Sequence, residues 1–260
     1  MIRSVLATRY VTPLREGGSL PGLVEADDDG LYVLKFRGAG QGPRALIAEL
    51  VAGEIGRALG LPVPELVFVE LDPALGRNEP DFEVRDLLLA SPGQNLGMDY
   101  LPGALPYNVA APFPIDADLA SAIVWFDAYV TNIDRTPRNT NMLIWARRLW
   151  LIDHGATLYF HHTWADYLER ARSPFKPIGE HALLPLATRL NAADERLRPL
   201  LTRQTLEGIA ALIPDAWLGD EPQFASVEQH RAAYVDYLLT RRDASSVFVE
   251  EAEHARAQLV

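Results

Sequence analysis

Three oxygen-bearing side chains stand at a spacing that suits chemistry on a phosphoryl group. Asp134 and Asn139 lie five positions apart in a polar loop, and Asp153 follows fourteen positions later. Two apolar pieces between them, residues 142–145 and 149–152, predict a hairpin that returns Asp153 to the loop. A carboxylate can orient a hydroxyl and accept its proton, while an amide oxygen and a second carboxylate can hold Mg2+ on nucleotide phosphates. The pattern therefore predicts Asp134 and Asn139 as catalytic residues, and Asn139 with Asp153 as metal ligands.

The surrounding elements favour a functional site over an ordinary polar turn, in which Asp and Asn are also common. Residues 119–130 form an almost unbroken apolar run. This run predicts a buried helix that leads into the loop, with Asp116 and Asp118 as candidate caps. Asp127 lies within the run and must be paired there, so we expect it to bond to Arg135 or to the loop backbone. Its predicted role is structural.

Lys35 stands out because 22 of the 24 basic residues are arginine, and Lys35 and Lys176 are the only lysines. It lies in a predicted strand, residues 31–36, where a buried charge needs a partner. A predicted helix at residues 43–59 can supply that partner as Glu49. A strand lysine held by a helix glutamate positions a cation for nucleotide phosphates, so we expect both in the cofactor site and Lys35 also among the catalytic residues. The alternative is a surface lysine beside a solvated glutamate.

A Gly-Gly-Ser loop ahead of Lys35 offers a second phosphate contact. The backbone amides of Gly17, Gly18 and Ser19 could approach a phosphate without interference from Cβ atoms. An ordinary flexible hairpin loop is the alternative. The position of the loop before Lys35 is what favours nucleotide binding.

The adenine of the nucleotide is expected to meet the backbone of a connector. Residues 95–104 run from an apolar strand into a Pro-Gly turn. We expect adenine to bond to backbone groups of Met98, Asp99, Tyr100 and Leu101. Met98 and Tyr100 could equally be core or turn residues.

The loop and the acid after the hairpin resemble those of the HipA-like kinases, within the protein-kinase-like fold, and more distantly those of phosphoinositide kinases. The family loop reads roughly Asn-x-Asp-Arg-x-x-x-Asn, followed by Asp-x-Gly. The matching positions here are Asn132, Asp134, Arg135, Asn139 and Asp153. Thr136 stands where those loops usually carry His, and His154 stands where many protein kinases carry Phe.

The resemblance implies an ATP- and Mg2+-dependent kinase that phosphorylates serine or threonine of a protein. Ser19 is the position that could match the phosphate-loop serine which HipA-like proteins can phosphorylate on themselves. HipA toxins begin with an additional amino-terminal subdomain that this chain is expected to lack. Association with an antitoxin or with operator DNA is therefore not inferred.

Three other activities fit the same residues. A small-molecule kinase places a similar loop in the same fold. A pseudokinase binds nucleotide without turnover, and a nucleotidyltransferase holds the nucleotide reversed. Asp134 favours an enzyme over a binding module, because a nucleotide sensor needs the metal ligands but not this carboxylate.

Composition limits the classes of partner. The chain has 260 residues, 48% of them hydrophobic, a formal net charge of −11 and no cysteine. The negative charge argues against direct nucleic-acid binding and against adhesion to an anionic membrane. The lack of cysteine excludes disulfides and thiolate metal sites. No signal peptide or membrane-spanning run is recognisable, so we expect a cytoplasmic protein.

The predicted fold is α+β, a two-lobed protein-kinase-like fold. Residues 1–100 are expected to form an antiparallel-sheet lobe with one helix, from strands at 5–11, 22–26, 31–36 and 66–71. Residues 101–260 are expected to form a mainly helical lobe, with helices near 202–213, 227–242 and the carboxyl end. A parallel nucleotide-binding sheet is disfavoured because hairpin-length loops separate the early strands. Residues 72–91 give no clear prediction.

Histidines after the metal motif invite a zinc hypothesis. His154, His161, His162 and His181 match no metal-ligand spacing, and aromatic-flanked histidines at this position favour gating or substrate recognition.

Overall fold

The computed structural model describes residues 2–14, 20–40, 42–77, 79–111, 113–219 and 221–259. The predicted phosphate-loop residues Gly17, Gly18 and Ser19 lie outside these ranges.

Five strands close into a barrel. They are β1 (Ser4–Pro13), β2 (Gly22–Ala26), β3 (Leu31–Lys35), β4 (Leu66–Leu71) and β5 (Gly93–Asp99), in the order β1-β2-β3-β5-β4. The four pairings along this order are antiparallel. The expected antiparallel sheet is corrected at one place, since β1 pairs in parallel with β4, with Val5 opposite Val69, and thereby closes the barrel. A helical crossover between β3 and β4 makes this parallel pairing possible.

The barrel interior is a small hydrophobic core of its own. Side chains on a strand alternate between faces, so every second residue points inward. The buried cluster contains Val5, Ala7, Val24, Ala26, Tyr32, Leu34, Phe36, Val67, Val69 and Leu71, together with Val84 and Leu88 of the helix Phe82–Ala90. This interior holds β3 rigidly, and β3 ends at Lys35.

The helices and the remaining strands follow in chain order. The helices are α1 (Gly42–Ala58), α2 (Phe82–Ala90), α3 (Ala117–Val130), α4 (Tyr167–Arg170), α5 (Leu190–Leu197), α6 (Arg203–Ala210), α7 (Asp215–Leu218), α8 (Val227–Asp243) and α9 (Ser245–Ala257). A second sheet contains β6 (Leu105–Pro106), β7 (Met142–Trp145) and β8 (Arg148–Leu151), with β7 in the middle. Short 3-10 helices lie at Pro73–Gly76, Tyr159–His162, Lys176–Glu180, Leu184–Leu186 and Arg198–Leu200.

Helix α3 runs through the centre of the helical part. Asp116 caps its first turn by accepting a 2.7 Å hydrogen bond from the Leu119 amide, as predicted. Every residue from 120 to 130 is buried. The helix ends at Thr131, which adopts the left-handed conformation, and the Asn132 amide donates to the Asp127 carbonyl at 2.8 Å. The chain therefore leaves α3 directly into the predicted catalytic loop.

Helix α1 packs into the same core as the helical part. Its residues Leu46, Ile47 and Leu50 belong to the hydrophobic cluster that contains α3, not to the barrel interior. Gly56 has no side chain because a Cβ there would lie 2.9 Å from Val63 and 3.5 Å from the Phe126 ring. Helix α1 is thus wedged between the barrel and α3, which explains why it is apolar on nearly every face.

A segment around α7 returns to the barrel and clamps α1. The Trp217 ring meets the Phe68 ring edge-on at 5.7 Å, and its Nε1 donates to the Gln94 carbonyl at 3.2 Å. Glu221, which follows α7, forms an ion pair with Arg44 in the first turn of α1. These contacts tie the first turn of α1 and the outer face of the barrel to the carboxyl-terminal half of the chain.

Among the described residues, no helix combines the length and apolar character needed to cross a membrane.

Arg241 satisfies carbonyls at the end of α3, and we expect its loss to destabilise the fold. The buried guanidinium donates to the carbonyls of Ala128, Tyr129, Ala171 and Ser173 at 2.6–3.2 Å. Arg241→Met leaves these buried acceptors unpaired, each at a cost of about 1–3 kcal/mol. We therefore expect the free energy of unfolding, measured in urea, to fall by about 3 kcal/mol or more. The matched control is Arg196→Met, on the exposed side of α5, and an equal effect in both variants would contradict the assignment.

Candidate active site

Lys35 joins three separate elements at one point. Its Nζ lies 2.5 Å from Oε2 of Glu49 on α1 and 2.6 Å from Oδ1 of Asp153 after β8. The predicted pairing of Lys35 with Glu49 is therefore present. The two carboxylates differ in environment, because the Glu49 side chain is 2% exposed and that of Asp153 is 41% exposed.

Ion pairing has a larger effect than burial on the pKa values of Lys35 and Glu49. Burial alone would lower the pKa of Lys35, but the carboxylates of Glu49 and Asp153 raise it above its ordinary value. Burial alone would raise the pKa of Glu49, but Lys35 and the contact with His154 hold it at about 2. Lys35 and Glu49 are therefore both ionised at neutral pH.

His154 is buried beneath Glu49. Its Nδ1 lies 3.5 Å from Oε1 of Glu49, and its ring meets the Phe126 ring edge-on at 5.7 Å. Neither ring nitrogen, nor Oε1 of Glu49, has a hydrogen-bond partner within the described part of the chain. His154 thus packs between Glu49 of α1 and Phe126 of α3.

The predicted catalytic loop, residues 131–141, holds Asp134 by two side-chain amides. Nδ2 of Asn139 donates to Oδ2 of Asp134 at 2.9 Å, and Nδ2 of Asn141 donates to the same oxygen at 3.1 Å. The Asp134 amide donates to Oδ1 of Asn132 at 3.0 Å. The sequence indicated the first of these neighbours as functional and missed Asn141, whose only signal was a second Asn immediately before a strand.

Asp127 is a fully buried hub beneath this loop. Its Oδ1 accepts from Nδ2 of Asn132 at 2.8 Å, and its Oδ2 accepts from Nε of Arg135 at 2.6 Å, as predicted. His181 adds a third contact from Nε2 to Oδ2 at 2.8 Å. The Leu183 amide donates to Nδ1 of His181, so Nε2 carries the hydrogen that faces Asp127. Burial opposes ionisation, but Arg135 and His181 hold the pKa of Asp127 far below its usual range.

Arg135 connects Asp127 to the β7–β8 hairpin through hydrogen bonds. Its Nη1 donates to the Asn141 carbonyl and lies 3.4 Å from the Ile152 carbonyl. The Ile152 amide donates to the Asn141 carbonyl at 3.0 Å, which continues the β7–β8 pairing by one step. The hairpin therefore returns Asp153 to the end of the catalytic loop, as the spacing predicted.

The site has the oxygen atoms that a hard divalent cation requires. The amide nitrogen of Asn139 donates to Asp134, which leaves the amide oxygen Oδ1 for a cation. Asp153 contacts Lys35 through Oδ1, which leaves Oδ2. An amide oxygen and a carboxylate oxygen suit Mg2+. The residues at the predicted metal positions thus fit the group.

Fewer backbone groups of residues 98–101 are available to adenine than the sequence predicted. Met98 lies inside the sheet, opposite Val33 and Leu66. The amides of Asp99 and Tyr100 already donate to the carbonyls of Glu65 and Leu31, at 2.8 and 2.9 Å. Since residue 102 is proline, the Leu101 amide is the N–H of this segment that a base could use.

The histidines after Gly155 belong to an aromatic cluster. Nδ1 of His161 lies 3.1 Å from the Tyr234 hydroxyl, and burial, with smaller effects of His162 and Arg44, lowers the pKa of His161 to about 3. The cluster packs this segment onto α8 through Phe160, His161, Trp164, His230, Tyr234 and Tyr237. No group of three or more His, Cys, Asp or Glu side chains that could hold a metal ion occurs in the described ranges, so His161 and His162 form no such centre there.

The model of a family described as HipA-like kinase matches residues 8–250. The Helicobacter pylori proinflammatory kinase CtkA is similar in structure, with a TM-score of 0.54, 13% identity and 100% of both chains covered. The Golgi casein kinase with Mn and ADP bound gives a TM-score of 0.48 at 13% identity, over 100% of this chain and 75% of that chain. No curated protein sequence matches the chain. The likeness to CtkA shows a kinase-like fold.

The buried Glu49–Lys35 pair predicts a specific pH dependence. The folded-state pKa of Glu49 is depressed to about 2, so its stabilising effect is complete above its ordinary pKa and is lost as pH falls toward 2. We expect Glu49→Gln to reduce the free energy of unfolding by about 3 kcal/mol at pH 7. The difference from wild type should shrink as pH is lowered from 4.5 toward 2.

Urea unfolding between pH 7 and pH 3 measures this effect, with Glu195→Gln on the exposed face of α5 as the control. A difference that stays constant over the whole range would contradict the assigned charge pairing.

Proposed function

The chain belongs to the HipA-like kinase family and is therefore a kinase, and from this premise we propose that it transfers the γ-phosphoryl group of ATP to a hydroxyl group. The proposed acceptor is serine or threonine of a protein. The observation that carries the proposal is the position of Lys35, bonded at once to Glu49 and to Asp153. Protein kinases use a lysine that is fixed by a helix glutamate next to a metal-binding aspartate, and we assign the last role to Asp153.

We place the nucleotide between two lobes that meet near residue 100. The barrel with Lys35 forms one wall, and the catalytic loop and Asp153 form the other. The adenine would bond to the connector, where the Leu101 amide and the Asp99 carbonyl are the candidate groups. Gly17, Gly18 and Ser19 are the candidate cover for the phosphates.

Asn139, through its amide oxygen, and Asp153, through the carboxylate oxygen that does not contact Lys35, are the residues that would hold a divalent metal ion. Mg2+ would neutralise charge on the phosphates when it is bound. Lys35 contributes a second positive charge to the phosphates from the opposite side. The protein supplies position and electrostatic stabilisation, which account for most of the catalysis in this class of reaction.

Asp134 accepts the proton of the acceptor hydroxyl in this proposal. The acceptor hydroxyl donates a hydrogen bond to its carboxylate and is oriented toward the γ-phosphorus. The hydroxyl oxygen forms a bond to that phosphorus as the bond to the β-phosphate oxygen breaks. The hydroxyl proton passes to Asp134, and ADP leaves.

Nucleotide binding is the first test. We expect Lys35→Met and Asp153→Asn each to weaken binding of a magnesium-bound, non-hydrolysable ATP analogue by about tenfold or more, because each removes a charged contact. Calorimetry measures the affinity, and circular dichroism checks that the variants fold. Lys176→Met, at an exposed lysine, is the matched control. Unchanged affinity in both folded site variants would exclude the assignment.

Transfer of label is the second test. The protein is incubated with size-fractionated cell extract and ATP labelled at either the α or the γ position. We expect γ label on protein with wild type and with Asp166→Asn, an exposed control, and its loss by about a hundredfold or more with Asp134→Asn.

The other outcomes identify the rival activities. Label confined to small molecules would indicate a small-molecule kinase, and α label on protein would indicate nucleotidyl transfer. Binding without transfer of either label would indicate a pseudokinase.

A further inference from the structure

The carboxylate of Asp134 is held by two amides, although one would satisfy the pattern in the sequence. Nδ2 of Asn139 and Nδ2 of Asn141 both donate to Oδ2, at 2.9 and 3.1 Å. Nδ2 of Asn141 also lies 3.3 Å from the Asp134 carbonyl oxygen. An amide nitrogen carries two hydrogens, so Asn141 can hold the side chain and the backbone of Asp134 together.

The two amides differ in how firmly they are placed. Asn139 is exposed, and its other contacts are with Thr136 in the same loop. Asn141 is partly buried, and its carbonyl accepts from the Ile152 amide and from Arg135. Arg135 is bonded to the buried hub Asp127. Asn141 is therefore fixed by the core and by the hairpin, whereas Asn139 is fixed by the loop alone.

The backbone at Asn141 also limits the residue type. Its φ is +47°, in the left-handed region that asparagine and glycine tolerate best. Asparagine here could serve the turn alone. The hydrogen bonds to Asp134 indicate a second role, which requires the amide and not only the backbone.

We propose that Asn141 is a positioning residue for the phosphoryl-transfer step. It holds Oδ2 of Asp134 in place, so that the other oxygen, Oδ1, faces the acceptor hydroxyl whether or not a metal ion occupies Asn139. An ionised carboxylate only accepts hydrogen bonds, so two donors on Oδ2 leave Oδ1 as the better acceptor for the incoming hydroxyl. This inference rests on the proposed function.

Two substitutions separate this role from that of a turn residue. Asn141→Gly removes the amide and keeps the left-handed backbone. Asn141→Asp keeps the shape and the tolerance for positive φ, but turns an oxygen toward the Asp134 carboxylate. The matched control is Arg147→Gly, at an exposed position with φ +60° in the turn of the β7–β8 hairpin.

We expect kcat to fall about ten- to a hundredfold in Asn141→Gly and at least as far in Asn141→Asp, because a misplaced catalytic group loses its alignment. The affinity for the magnesium-bound ATP analogue should stay within about twofold of wild type, since Asn141 does not contact the nucleotide in this proposal. Arg147→Gly should leave both quantities unchanged. A wild-type kcat in Asn141→Asp would show that the residue serves the turn alone, and weakened, Mg2+-dependent binding would show a metal ligand instead.

A measurement that needs no turnover keeps the inference separate from the proposed function. In nitrogen-15 spectra, the side-chain amide of Asn141 is identified by its absence in Asn141→Gly. We expect this resonance to shift in Asp134→Ala, while that of Asn95, which donates to the carbonyls of Ser91 and Gly93, stays in place. An Asn141 resonance unmoved by Asp134→Ala would overturn the inference. A wild-type protein that transfers no phosphoryl group would overturn the proposed function, whatever the spectra show.

Discussion

A buried carboxylate is the constraint on which the candidate site depends. Asp127 lies in the last turn of α3 with no exposure to solvent, where an unpaired charge would not be tolerated. Its partners Asn132 and Arg135 come from the catalytic loop, and His181 comes from the segment beyond Gly155. Removing one partner of a buried pair typically costs about 3–5 kcal/mol, so the loop is held in one conformation by the requirement to neutralise Asp127. Asp134, the proposed catalytic carboxylate, is itself only partly buried.

The position of α1 is the second constraint. This helix packs with α3 instead of with the barrel interior, and the α7 segment clamps its first turn through Glu221 and Arg44. Glu49 is therefore placed by the helical core, while Lys35 is placed by the barrel. Their ion pair therefore connects the hydrophobic core of the barrel to that of the helical part. The aromatic packing of Phe160 and Trp164 against Tyr234 of α8 holds the segment after Gly155 on the helical part.

Much of this could be predicted from local patterns. One short stretch of sequence contains Asp134, Asn139 and Asp153. The hairpin between the last two follows from two apolar pieces that flank a polar turn. The Lys35–Glu49 pair was predictable because a lysine is rare in this chain and a buried charge needs a partner. The parallel pairing of β1 with β4 was not, since it joins residues more than sixty positions apart. Helix α2 was missed because its nine residues carry an apolar run without clear helical spacing. Asn141 was missed because hydrogen bonds to one carboxylate oxygen leave no trace in spacing.

The two carboxylates on Lys35 are unequal, and this inequality suits the proposed chemistry. The bond to Glu49 is buried, so breaking it would leave a charge unpaired in the core at a cost of several kcal/mol. The bond to Asp153 costs less to break, because the Asp153 side chain is 41% exposed and water can solvate its carboxylate. Entry of a metal-bound nucleotide would therefore exchange the Asp153 contact and leave the Glu49 contact intact. Glu49 of α1 would still hold Lys35 while the ammonium group turns toward the phosphates. The lysine is thus already in position before the nucleotide binds, whereas Asp153, the proposed metal ligand, changes its partner on binding.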